Sequence, residues 1–166
     1  MVTMTRTLIL MRHGKSAYPP GIDDHERPLA PRGRREAALA GDWLRATQPP
    51  ISAVRCSTAT RTRETLAATA LTAPVEFDAS IYEAAADQLI ELVQLTDPAL
   101  STLLVIGHAP GMPWTAWDLA ADHDTEDAQR LGRKFPTSAM AVLRFDLPWD
   151  RIDPGTGVLA AFHIPR

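Results

Sequence analysis

A three-layer α/β/α domain with a mostly parallel central sheet is the fold class this sequence predicts, and three observations predict it. Residues 7–11 (TLILM) and 102–106 (TLLVI) are continuously apolar or β-branched, as strands covered on both faces of a sheet are. Both runs end in histidine and glycine: Arg12, His13 and Gly14 follow the first, Gly107 and His108 the second. Strand-like and helix-like segments alternate through most of the chain with no internal repeat, the pattern of right-handed crossovers in a parallel sheet.

The elements follow in order. Residues 17–30 (AYPPGIDDHERPLA) are rich in Pro, Gly and Asp and read as a loop. Pro31 presets a helical φ and opens a helix in which Ala37, Ala40 and Leu44 share one face, ending near Gln48 before Pro49 and Pro50. Residues 51–57 read as a second strand, 61–71 as a helix of good helix formers and 75–77 as a short third strand. Residues 86–95 place Leu89, Leu92 and Val93 on one side of a helix. Beyond the apolar strand at 102–106, residues 110–121 read as helical, and 139–145 and 158–164 as two late strands around a loop of Pro, Asp and Gly.

Bulk properties narrow the function. With 166 residues, 45% of them hydrophobic and 22% charged, the chain has the size and composition of one domain spanning residues 1–166. The net charge of −3 and interspersed charged residues argue against a phosphate-backbone binder, so no nucleic-acid partner is expected. The single cysteine, Cys56, makes neither an intramolecular disulfide nor a cysteine-rich zinc site, which fits a reducing cytoplasm. No apolar stretch approaches the ~20 residues of a spanning helix or forms an export signal, so no membrane association is expected.

Ligands of open α/β sheets bind beyond the carboxyl ends of the strands. If the two apolar runs are parallel and central, their ends present Arg12, His13 and His108 together, and the segment after the second strand adds Arg61. Two imidazoles and two guanidiniums with no carboxylate among them suit a tetrahedral oxyanion, phosphate above all, because guanidinium forks pair with phosphate oxygens. Only an imidazole in this set is a neutral nucleophile near pH 7 that then carries a phosphoryl group. Positioning and charge stabilisation, the main demands of phosphoryl transfer, come from the same residues, so no metal and no cofactor is expected.

Four segments, "LILMRHGKS" (8–16), "ERPLAPRGRREA" (26–37), "STATRTRET" (57–65) and "LLVIGHAPG" (103–111), resemble in order and separation the histidine phosphatase superfamily, most nearly its small SixA-type phosphohistidine phosphatase branch. The resemblance implies a phosphoglycerate mutase-like fold whose mostly parallel central sheet is mixed, with an antiparallel edge, His13 as the phosphoryl-accepting nucleophile, and Arg12, Arg61 and His108 on the phosphoryl oxygens, with the backbone amide of Ala109 as a further donor. It also implies a phosphorylated substrate: a protein phosphohistidine first, small phosphomonoesters or nucleotides second; the rival from another class is a non-catalytic phosphate- or phosphopeptide-binding module. Thr58 stands where the family often has proline, a change expected to affect loop stiffness more than chemistry. Larger members carry a glutamate acid after the third strand; Glu83 is the candidate here, with Asp87 one turn on.

Other residues have plainer readings. His25 and His123 lie among acidic neighbours and His163 in a terminal strand, so all three are taken as structural. Arg27 is read equally as a pocket residue or as a tie to Asp23 or Asp24. Arg32, Arg34, Arg35 and Arg63 read as solvated helix faces, Ser16 and Ser138 as capping residues, and Trp114 with Trp117 as one packed helical face.

Overall fold

In the computed structural model, which describes residues 4–166, the chain runs β1 (Arg6–Arg12), α1 (Pro31–Thr47), β2 (Ala53–Ser57), α2 (Thr60–Thr69), β3 (Val75–Asp78), α3 (Ala86–Gln94), β4 (Thr102–Gly107), α4 (Gly111–Leu119), α5 (Glu126–Arg133), β5 (Met140–Phe145) and β6 (Val158–His163). The strands form one sheet in the order β3-β2-β4-β1-β5-β6. Its first four strands are mutually parallel; β5 runs antiparallel to both β1 and β6.

The continuous apolar runs have a direct cause. Alternate residues of a strand point to opposite faces, and here both faces are covered. Ile9, Met11, Leu104 and Ile106 pack with Ala40 and Leu44 of α1 and Leu66 of α2. Leu8, Leu10, Leu103 and Val105 pack with Leu89 and Val93 of α3, Met112 and Leu119 of α4 and Leu131 of α5. The expected layers are therefore present, with α1 and α2 on one side and α3, α4 and α5 on the other.

Residues 122–138 carry no sustained apolar period, and α5 lies within them. Its apolar stripe is thin, burying only Ala128 and Leu131, but Thr125 caps it by accepting from the Ala128 amide at 3.1 Å, with acidic residues in the first turn and arginines in the last. No helix of the described residues is long and apolar enough to cross a membrane.

Two glycines bring α1 against the end of β1. A Cβ on Gly33 would overlap the Lys15 carbonyl, and one on Gly14 would lie 2.9 Å from the Gly33 oxygen. The first turn of α1 thus rests directly on the segment after His13.

Candidate active site

The parallel register of β1 and β4 sets Arg12 opposite Gly107, so the residues that follow, His13 and His108, leave the sheet side by side with ring centroids 5.3 Å apart. The His13 amide donates to the Gly107 carbonyl at 3.0 Å. Its ring Nδ1 lies 2.7 Å from the Gly14 carbonyl. A carbonyl only accepts, so Nδ1 carries the hydrogen and Nε2 keeps its lone pair. No described residue hydrogen-bonds to that Nε2. Burial, aided by the nearby His108, Arg61 and Arg12, pushes the His13 pKa down to about 3. Burial and then Arg61 push His108 down to about 4. Both imidazoles are neutral at physiological pH.

Arg12 anchors itself by donating from Nη1 to the Phe135 carbonyl at 3.0 Å. Arg61, buried in the first turn of α2, donates from Nη1 to the Asp24 carbonyl at 2.7 Å and from Nη2 to the Asp24 carboxylate at 3.1 Å. The Nε atoms of both arginines and Nδ1 of His108 are buried without a partner among the described residues. His108 Nε2 shares a 2.8 Å hydrogen bond with the Ser57 hydroxyl, which leaves Nδ1 as its free side. Buried N–H groups without acceptors are costly, and a bound anion would satisfy those of the two arginines. The amide of Ala109 also has no acceptor among the described residues.

The expectation of a pocket without carboxylates is corrected. Asp24, from the loop before α1, accepts from Arg61, from Arg27 Nε at 3.0 Å and from the Tyr82 hydroxyl. The Tyr82 hydrogen bond above all, then Arg27 and Arg61, holds the Asp24 carboxyl well below the usual carboxylate range, and the same bond raises the Tyr82 hydroxyl. Tyr82 also meets the His108 ring edge-on at 5.3 Å. The sequence points to Asp24 only as a partner of Arg27 and does not point to Tyr82, since both reach Arg61 only through the fold. The Asp-Asp-His-Glu run before Arg27 was the available signal for Asp24; Tyr82 had none.

Arg27 makes the tie to Asp24 and also donates to the Ser16 hydroxyl at 2.7 Å, so Ser16 braces the loop instead of capping a helix. His25 is no solvated bystander: its ring lies 4.9 Å from that of Tyr82, and its Nε2 pairs with the Thr58 hydroxyl at 3.0 Å. The residue in the family's proline position thus ties the loop to the start of α2. Ser138 caps nothing either; with φ 64° it donates its amide to the carbonyls of Arg12 and His13.

Glu83 and Asp87 are both exposed, and neither makes an ion pair or a side-chain hydrogen bond with a described residue. Trp117 stacks on His123 at 3.9 Å, whereas Trp114 is 59% exposed, so the expected packed pair divides. His163 stacks on Trp43 at 4.4 Å, a structural role as expected. Among the described residues no group of three or more His, Cys, Asp or Glu is placed to hold a metal ion.

The model of the histidine phosphatase superfamily, branch 1, matches residues 8–96. An uncharacterized protein of Mycobacterium tuberculosis is 51% identical over 94% of this chain and its own full length. A candidate phosphohistidine phosphatase SixA from Nakamurella multipartitia superposes with a TM-score of 0.90 at 37% identity, covering 97% of this chain and 96% of that one. The protein histidine phosphatase SixA complexed with tungstate superposes with a TM-score of 0.77 at 25% identity, covering 96% and 97%. With its four motif segments gathered at one edge of a phosphoglycerate mutase-like α/β fold, the chain belongs to the histidine phosphatase superfamily, branch 1.

Proposed function

We propose that residues 1–166 act as one domain, a cytoplasmic, metal-independent phosphatase that works through a phosphohistidine intermediate and whose substrate is phosphohistidine on a protein. The observation that carries this reading is His13 with its Nδ1 hydrogen held by Gly14 and its Nε2 lone pair free beside the unpartnered Nε–H groups of Arg12 and Arg61 and the unpartnered Nδ1 of His108. Nε2 attacks phosphorus in line, an N–P bond forms, and the bond from phosphorus to the leaving nitrogen breaks with its electron pair going to the leaving imidazole. Arg12, Arg61, His108 and the Ala109 amide hold the three phosphoryl oxygens. Water then attacks the phosphohistidine, releasing phosphate and restoring neutral His13.

The pocket's carboxylate favours a nitrogen leaving group over an alkoxide. Asp24 is held ionised and Tyr82 holds its proton tightly, so neither is a ready acid, and an imidazole leaves without the strong acid assistance an alkoxide needs. The SixA-type neighbours support the same substrate class. Cys56, buried and pushed up to about 12, stays an inert thiol in a reducing compartment.

The test is a panel of a phosphohistidine protein, a sugar phosphate and a nucleotide, each with and without chelator, combined with rapid acid and base quenching. Preference for phosphohistidine, indifference to chelator and an acid-labile, base-stable adduct on His13 are expected. His13→Ala should be folded and inactive. An adduct on another residue, or activity lost to chelator, overturns the proposal.

A further inference from the structure

A groove of about 650 Å³ runs between α4 and α5. Trp114, Pro113 and Trp117 of α4 form one side, and Leu131 of α5 the other. Gly132 lets the Trp117 ring pack against α5 at the groove's floor, since a Cβ there would lie 2.9 Å from that ring. Arg133 and Lys134 stand on its rim, exposed and without a carboxylate partner among the described residues.

The groove continues from the phosphoryl pocket. Its near end is Ala109, the residue after His108, and Phe135, whose carbonyl receives Arg12, closes the same end. A molecule with its phosphoryl group at His13 therefore has this groove as the adjoining surface for whatever flanks that group.

We propose that the groove docks the polypeptide flank of the phosphoprotein substrate, a segment with a bulky apolar side chain followed by carboxylates; this rests on the phosphohistidine reading above. The apolar side chain covers Trp114, an exposed aromatic of the kind that anchors interfaces. The carboxylates meet Arg133 and Lys134, two free cations on a chain whose net charge is −3. The volume exceeds what a phosphoryl group and a single imidazole fill and lies within the usual range of ligand clefts, roughly 300–1,000 Å³.

Three phosphohistidine peptides test this: one with Leu-Leu-Glu-Glu on both sides of the phosphohistidine, one with alanines, and one with Leu-Leu-Lys-Lys. Phosphoramidate, which has no flank, reports the phosphoryl pocket alone. The acidic-apolar peptide should have the highest kcat/KM, through KM. In Trp114→Ala, and separately in the double variant Arg133→Ser with Lys134→Ser, the ratio of its kcat/KM to that of phosphoramidate should fall about tenfold, as loss of an interface anchor does. Binding of the unphosphorylated acidic-apolar peptide, followed by tryptophan fluorescence, should weaken in parallel in the double variant. Equal kcat/KM for the three peptides with phosphoramidate still hydrolysed overturns the groove and leaves the phosphatase reading standing. Peptide binding that depends on Arg133 and Lys134 without any hydrolysis supports the groove and overturns the phosphatase reading, while absence of such binding overturns the groove whatever the hydrolysis.

Discussion

Arg61 is held by Asp24 at two points, the backbone carbonyl at 2.7 Å and the carboxylate at 3.1 Å. The contact fixes the guanidinium but sets a negative charge beside the proposed phosphoryl site. Asp24→Asn keeps an acceptor for Arg61 and removes that charge. Inorganic phosphate should then inhibit about three- to tenfold more tightly, the scale of one unit charge several ångströms away in a largely aqueous setting. Competitive inhibition of phosphoramidate hydrolysis, repeated at high salt where the gain should shrink, measures this.

Arg61→Lys keeps the charge but loses the planar fork, so kcat/KM should fall by about 100-fold, on the order of a strong charged hydrogen bond or two. Arg63 is exposed, donates to the Thr58 carbonyl at 2.8 Å and lies over the Phe77 ring at 4.2 Å. Arg63→Lys should change kcat/KM little, and equal losses at both positions would place the wrong arginine in the pocket.

Glu83 follows Tyr82, whose ring faces His108, and it is the candidate acid for oxygen leaving groups. A positioned acid is worth about 10²–10⁴-fold for an alkoxide and far less for an imidazole. Glu83→Gln should therefore slow an alkyl phosphate much more than a phosphohistidine peptide, and Asp87→Asn should slow neither. Uniform loss across substrates in Glu83→Gln would show a structural role.

Acid should destabilise the fold through the two neutral imidazoles. In the unfolded chain they take up protons near pH 6.5; in the folded chain only near 3 for His13 and 4 for His108. Between those limits the unfolded state binds more protons, so stability is full above pH 6.5, falls as pH drops, and bottoms out from these groups below about 3. Thermal unfolding from pH 7.5 to 4 should show this slope, and His13→Asn should flatten it.

The strands and the four convergent side chains were legible in the sequence because β1 and β4 are covered on both faces and end together, which leaves an unbroken apolar run followed by polar residues. The pocket's second ring of contacts was not. Asp24 meets Arg61 across 37 residues and Tyr82 across 58, pairings that no local period encodes. Trp114 and Trp117 have helical spacing, yet only Trp117 finds a packing partner in His123, because the groove opens between α4 and α5 beside Trp114. Helix α5 is faint in the sequence for a related reason: two buried side chains make too thin a stripe, and its cap and charge pattern are the stronger signal.

The placement of β1 between β4 and β5 bears on how the chain is made. Its hydrogen-bonding neighbours begin at Thr102 and Met140, so the earliest strand of this sheet along the chain is among the last to be paired. Until most of the polypeptide has emerged, Leu8 to Met11 present a bare, four-residue greasy edge, the kind of segment that seeds off-pathway association in slow-forming parallel sheets. Arg6 and Arg12 bracket that run and put positive charge at both of its ends. The same Arg12 that sits in the finished pocket is thus also one of the two charges that close off the apolar run wherever that strand is left unpaired.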